Sequence, residues 1–403
     1  SFYYAAEKCN GAGVCRKSIG GVMCPSYRAT RNEEFSTRGR ANLLRKALSS
    51  EGPAKSLKNR ELKEALNLCL SCKACKSECP ANVDMAKLKS EYLFQIRNAG
   101  SYVKSWHIKN LGYILKIGSK APDTFNFLQS SFLGRKLIGF ERQPPLLQKK
   151  SLSDWWSACK TNNEDCSTTV WVIVDIFTQY YDVSIGQDVL NLLKKCKVNI
   201  KVVFPKNSIV AMVSYGLLNE AKNELKILHS QLNDAAKNDL IVGIEPSEVL
   251  VWRDEAKSLL NGRLPNVLLF EELLLELDQL KVLPKFHALN TKVWVYEHCH
   301  QKSLAETENV IKSLELIPEL QIEIINGGCC GMAGEFGYKF PEISDTIAHQ
   351  SLDNYMSRVG KNDVLVVTGT SCRKQILDIF SIRSIHWPQL FNNTIKMKVN
   401  IEE

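Results

Sequence analysis

Residues 69 to 80 read Cys69-Leu-Ser-Cys72-Lys-Ala-Cys75-Lys-Ser-Glu-Cys79-Pro80. Three thiols at successive two-residue gaps let one tight loop wrap three corners of a 4Fe–4S cube. In the bacterial ferredoxin spacing the fourth Cys, followed by Pro, serves a different cluster. The run is therefore incomplete alone and demands a second cysteine segment. The N-terminus supplies Cys9-Asn-Gly-Ala-Gly-Val-Cys15 and Met23-Cys24-Pro25. Cys24-Pro25 mirrors Cys79-Pro80, so Cys24 is expected to complete the set Cys69, Cys72 and Cys75. Cys79 then crosses to Cys9 and Cys15, a set one thiolate short. That second site is a three-iron cluster, a cluster with a non-Cys ligand, or no cluster.

Zinc prefers two Cys-x-x-Cys pairs some 15–20 residues apart, which this run does not offer. Fourteen Cys in 403 residues are too sparse for a disulfide-stapled secreted domain. No signal peptide is evident, so the thiols read as reduced and the chain as cytoplasmic. No apolar run approaches 18 residues, so no transmembrane segment is expected. The net charge of +9 is uneven: residues 1–150 carry 27 Lys and Arg against 11 Asp and Glu, leaving the remainder net negative. The basic residues are scattered around the segments expected to hold anionic clusters. They fit docking to a flavoprotein, or peripheral contact with the inner face of a membrane, better than nucleic acid. The chain starts without Met and enters a motif by Cys9, as expected of a piece of a longer chain.

The expected fold class is α+α/β. Residues 1–98 read as a helical ferredoxin-like domain, with helices over 37–48 and 84–97 and Asp84 as an N-cap. Residues 99–167 read as a helical connector. Beyond 168, short apolar runs alternate with amphipathic segments, as in parallel sheets covered on both faces. Strands are expected at 170–177, 199–204 and 240–244, with helices at 186–195 and 217–228. The order recurs with strands at 292–296, 321–325 and 364–368 and helices at 303–313 and 343–356. This suggests two duplicated Rossmann-like lobes, 168–285 and 286–403.

Cys299, the pair Cys329–Cys330 and Cys372 each follow an expected strand. Loops after parallel strands gather at one edge, where ligands bind, so these four thiols are expected to converge as a metal or redox site. A reactive dithiol at Cys329–Cys330 is the competing reading. Cys159, Cys166 and Cys196 lack such a context and are expected to be structural. His298, His300 and His386 read as loop or packing residues.

Cys299, the Cys329-Cys330-Gly331 loop and Cys372 resemble the cysteine-rich CCG domain of heterodisulfide reductase. The iron–sulfur subunits of glycerol-3-phosphate and glycolate/lactate oxidases carry it too. The N-terminal Cys9–Cys15 segment, Met23-Cys24-Pro25-Ser26-Tyr27, Ser36-Thr37-Arg38-Gly39-Arg40-Ala41-Asn42, the run 69–80 and Val83-Asp84-Met85 are similar to a second group. These are the C-terminal iron–sulfur halves of FAD-linked dehydrogenases of D-2-hydroxy acids such as D-lactate. The resemblance implies an FAD-binding half elsewhere, in the same polypeptide or a separate subunit. It also implies that electrons from D-lactate, D-2-hydroxyglutarate or glycolate pass through this half to a quinone or carrier. The chain then has no catalytic residue and no flavin of its own. The alternatives are a stand-alone thiol/disulfide or quinone reductase and a structural metal-binding module. The chain departs from the family where Pro205-Lys206-Asn207-Ser208 and Glu245-Pro246-Ser247-Glu248 lack the first lobe's thiols. Gln375 likewise ends Cys372-Arg-Lys-Gln375 where a further Cys is usual, so one C-terminal cluster at most is expected.

Overall fold

The computed structural model describes residues 1–97, 102–159, 166, 168–235 and 238–396. Helices and short 3-10 turns account for the regular structure up to Ala158, with no strand among the described residues. Helix Thr37–Leu48 matches the expected span, because the Ser36 side chain accepts from Gly39 N and fixes the first turn. Asp84 caps helix Met85–Gln95 by accepting from Lys87 N at 3.0 Å. Among its described residues the expected connector holds five helices, from Tyr102–Lys109 to Leu152–Ala158.

Two parallel sheets follow. The first comprises β1 (Thr169–Ile173), β2 (Asn199–Val203), β3 (Leu240–Gly243) and β4 (Val267–Leu268), in the order β2-β1-β3-β4. The second comprises β5 (Lys292–Tyr296), β6 (Gln321–Ile324) and β7 (Val364–Val367), in the order β6-β5-β7. The first three strands of each sheet share one topology, with register Val170↔Ile200 and Val170↔Leu240 against Val293↔Ile322 and Val293↔Val364. In both, the chain reverses direction of travel between the central strand and its later neighbour, which opens a crevice at the strands' C-terminal edge.

Two expectations are corrected, and one strand is added. The first strand stops at Ile173 rather than 177, because Asp175 accepts from Phe177 N and Thr178 N and starts helix Ile176–Tyr180. Apolar continuity hid this cap. The helix expected at 303–313 is two, Cys299–Leu304 and Thr307–Leu314, with extended backbone at Ala305 and Glu306 between them. The two-residue strand β4 carried too little pattern to be read.

The sheets are not packed apart. One hydrophobic cluster joins Val170, Val172 and Val242 of the first sheet to Val293, Val295 and Val366 of the second, with Trp387 and Phe391 of the last helix. A second cluster joins Cys15, Cys24, Cys69 and Cys75 of the helical region to Cys299, Cys329 and Phe336. Burial at roughly 25 cal/mol per Å² of apolar surface makes such shared cores a strong brace between regions far apart in sequence.

Candidate iron–sulfur centres

The loop from Cys69 to Cys75 closes because Ser71 and Lys73 adopt left-handed backbone, φ 52° and 60°. Non-glycine residues hold that conformation at a cost of about 1–3 kcal/mol, so surrounding contacts must impose it. Some are visible: His300 Nε2 lies 2.9 Å from Ser71 O, and Ser303 Oγ donates to Cys72 O at 3.4 Å. Lys73, 3% exposed, pairs with Asp254 at 3.1 Å and with Glu255. Lys76 and Lys87 also reach Asp254, at 2.5 and 2.7 Å. Burial pushes the Asp254 carboxyl up, but Lys73, Lys76 and Lys87 overcome this and hold it well below the usual carboxylate range. The cysteine loop is thus clamped on the β3-side helices by two carboxylates and three cations.

Cys24, Cys69, Cys72 and Cys75 line one small cavity together with Thr37 and Arg40. Arg40 is fully buried. Its Nη1 lies 3.4 Å from Cys24 Sγ, its Nε donates to Ala65 O at 2.7 Å, and its Nη2 donates to Ser26 Oγ at 2.8 Å. Met85 N donates to Cys75 Sγ at 3.3 Å. The Ser36-Thr37-Arg38-Gly39-Arg40 segment therefore delivers a cation and a helix start to the thiols. Gly39 is required there, since a Cβ would collide with the Glu33 carbonyl oxygen. Burial pushes Cys72 and Cys75 far above the ordinary range as free thiols, helped by the neighbouring thiols at Cys72 and by Asp84, then Cys69, at Cys75. Four sulfurs facing a cation and a backbone amide form a donor set suited to an anionic iron–sulfur cluster. Among the described residues, no three His, Cys, Asp or Glu side chains close around a single point as one metal ion needs. A cubane does not need this, because each thiolate binds a different iron.

The second N-terminal set is looser. Cys15 is buried, accepts from Arg38 N at 3.4 Å, and feels the charges of Cys24 and Cys9. Cys79 follows helix Ala74–Glu78, and all three of Cys9, Cys15 and Cys79 border the same hydrophobic cluster. Glu78 ties the two cysteine segments together by accepting from Val22 N at 2.6 Å and from Met23 N at 3.2 Å. Sequence reading missed Glu78, Arg40 as a cation aimed at Cys24, and Asp254.

At the edge of the second sheet, Cys299, Cys329, Cys330 and Cys372 are all buried. Cys329 acts on the titration of Cys299 and Cys330, and Cys330 on that of Cys372, as sulfurs gathered in one place do. The Cys329 thiol, then His298, lowers Cys299 to about 5 against the push of burial. His298 Nε2 lies 4.0 Å from Cys299 Sγ. Burial alone would lower that imidazole, but the Cys299 thiolate raises it to about 9. His298 therefore belongs to the thiol site rather than to packing alone. Gly331, φ +90°, brings the loop against Ser344, where a Cβ would strike the Ser344 carbonyl oxygen. Cys299 is also among the charges that act on Cys72, which makes these two residues the junction between the two thiol groups.

The first sheet's matching edge carries no thiols. Ser208 donates to Glu248, and Ile209 N donates to Glu248 at 3.2 Å. A carboxylate thus caps helix Ile209–Ser214 where the resemblance places cysteines. Glu245 instead serves the other lobe, accepting from Thr370 N at 3.0 Å beside Cys372. Cys196 is buried with its Sγ 3.3 Å from Leu192 O, as expected of a structural thiol.

Residues 5–83 match the family described as a 4Fe-4S dicluster domain. The chain is an iron–sulfur electron-transfer module. The module is similar to the D-2-hydroxyglutarate dehydrogenase of Escherichia coli (strain K12), 30% identical over 431 residues, covering 92% of this chain and 42% of that protein. It is 28% identical over 430 residues to that of Pantoea ananatis (strain AJ13355), with the same coverage. It is also similar to one subunit of the anaerobic glycerol-3-phosphate dehydrogenase of Escherichia coli (strain K12). That likeness is 22% identity over 258 residues, covering 62% of this chain and 65% of the other. The module therefore spans less than half the length of its hydroxyglutarate dehydrogenase relatives. No solved structure matches it.

Proposed function

We propose that the module carries electrons from a flavin-bound D-2-hydroxy acid oxidation to a quinone or other carrier. The flavin would sit in an FAD-binding partner domain or subunit outside this sequence. The observation that carries the reading is the cavity ringed by Cys24, Cys69, Cys72 and Cys75 with Arg40 beside it. A 4Fe–4S cluster held there would supply reversible one-electron chemistry. In this reading residues 1–98 are a ferredoxin-like domain, 99–167 a connector, and 168–285 and 286–403 Rossmann-like lobes. Cys9, Cys15 and Cys79 contribute to a second N-terminal cluster. Cys299, Cys329, Cys330 and Cys372 hold a further centre, with His298 stabilising its thiolate charge. The acid is D-2-hydroxyglutarate or a close analogue, as the relatives' names suggest.

Among the described residues no helix is long and apolar enough to cross a membrane. Helices Pro122–Ser130 and Phe132–Ile138 nevertheless expose Phe127, Phe132, Leu133 and Leu137, the last 89% accessible. Lys116, Lys120 and Lys136 are exposed nearby in sequence. An apolar face flanked by cations supports peripheral contact with an anionic membrane.

The test is iron and acid-labile sulfide per chain after anaerobic purification. Four or more of each are expected, with visible absorbance that bleaches in dithionite. Cys372→Ala should lower the iron content and leave a bleachable N-terminal cluster. A chain with zinc and no sulfide would refute the reading. Co-flotation with anionic but not neutral vesicles checks the membrane contact, and no flotation with either rejects it.

A further inference from the structure

The loop from Cys9 to Cys15 repeats the turn of the loop from Cys69 to Cys75. In each, the second and fourth residues after the first Cys take left-handed backbone. Gly11 and Gly13 lie at φ 81° and 74°, Ser71 and Lys73 at 52° and 60°. In each, the second of these residues starts a helical turn, Val14–Arg16 after Gly13 and Ala74–Glu78 after Lys73. Arg16 N donates to Gly13 O at 2.9 Å, as Lys76 N donates to Lys73 O at 2.8 Å. The last Cys of each loop accepts from an amide in the first turn of a later helix. Arg38 N of helix Thr37–Leu48 reaches Cys15 Sγ at 3.4 Å, and Met85 N of helix Met85–Gln95 reaches Cys75 Sγ at 3.3 Å. Each loop is also followed by a Cys-Pro pair, at 24 and at 79. One frame is thus built twice. Position by position, Cys9 answers to Cys69 and Cys15 to Cys75, but Ala12 stands where the first loop has Cys72.

Ala12 is exposed, and its methyl side chain can bind no iron. The polar groups around it are engaged. Asn10 Oδ1 accepts from Ala12 N at 3.1 Å. Glu33 accepts from Arg38 Nε at 2.6 Å, while Arg38 Nη1 donates to Gly11 O at 3.1 Å and pins the loop. Glu78 is taken by the Val22 and Met23 amides. That tie also holds Cys79, the next residue, against the segment between Cys15 and Cys24. Each iron of a 4Fe–4S cubane takes one thiolate from the protein. Resting on the electron-transfer reading above, we propose that Cys9, Cys15 and Cys79 hold a three-iron, four-sulfide cluster. The missing iron is the one that Cys72 binds in the first site, and it is missing because Ala12 offers no thiolate. Arg38 supplies a cation beside the anionic group, as Arg40 does at Cys24. The first site keeps four irons, on Cys24, Cys69, Cys72 and Cys75. A single side chain therefore sets the two clusters apart.

The experiment takes the full chain, purified anaerobically, oxidised with ferricyanide and desalted. An oxidised 4Fe–4S cluster is diamagnetic, whereas an oxidised three-iron cluster has an odd number of electrons and is paramagnetic. Electron paramagnetic resonance should show a three-iron signal stoichiometric with the chain. Ala12→Cys should abolish that signal and add one iron per chain with sulfide unchanged. A gain of iron at an exposed position is not a result that misfolding can produce. Cys9→Ser should abolish the signal with a loss of iron, and Cys372→Ala should keep it, which separates this site from the C-terminal thiols. An iron-loaded chain without the signal, or a signal and iron content unaltered in Ala12→Cys, would overturn the proposal and leave the electron-transfer reading standing. A chain with neither iron nor sulfide overturns both.

Discussion

Glu271 offers a direct measure of how the second thiol site is braced. It lies in the first turn of helix Phe270–Gln279, is 3% exposed, and accepts from Gln301 Nε2. Gln301 Oε1 in turn accepts from Thr368 Oγ1, which accepts from His298 N. Burial pushes the Glu271 carboxyl up to about 8, helped by Glu272 and Glu297. The folded chain therefore keeps the proton that the unfolded chain releases near 4.5. Stability from this group is complete below that value and is lost as pH climbs toward 8. At 1.36 kcal/mol per unit the loss approaches about 5 kcal/mol as an upper bound. Relaxation and water penetration reduce this to about 2–4 kcal/mol. Glu271→Gln keeps an oxygen for Gln301 and never charges. Urea unfolding of the two proteins at pH 5, 6, 7 and 8 should show near-equal stability at pH 5. By pH 8 the variant should lead by about 2–4 kcal/mol. A difference that stays flat with pH, or a variant less stable at pH 8, would refute a buried, proton-retaining Glu271.

Four further substitutions probe the N-terminal site. Lys73→Met leaves Glu255 buried without its cation and should cost about 3–5 kcal/mol, read as a lower urea midpoint with loosened iron. Arg40→Met strands Ser26 and the Ala65 carbonyl and withdraws the cation from Cys24; a loss of about 3 kcal/mol and a more negative cluster potential are expected by denaturation and redox titration. Gly39→Ala should destabilise by about 1–3 kcal/mol through the Glu33 carbonyl clash, measured by the same urea titration. Cys72→Ala should abolish the first cluster, seen as retained sulfide falling well below that of Cys372→Ala.

The relation between sequence and structure differs from site to site. Helix Thr37–Leu48 and the Asp84 cap are local, so side chains and backbone three residues apart record them in the sequence. Strand ends were misplaced where a cap at Asp175 interrupts an unbroken apolar run. Apolar character alone cannot distinguish buried strand from buried helix. The gathering of Cys299, Cys329, Cys330 and Cys372 could be anticipated because parallel topology sends loops after strands to one edge.

The cysteine spacing by itself determined the chemistry: a 4Fe–4S pattern that one loop cannot complete. The apolar pattern along the chain determined the helical and parallel-sheet character of the two parts, because both are written in local periodicity. Only the tertiary structure placed Arg40 against Cys24, clamped Lys73 on Asp254 across 181 positions of chain, and set Cys72 within the field of Cys299. Those contacts depend on the relative placement of packed elements, which short-range patterns do not encode.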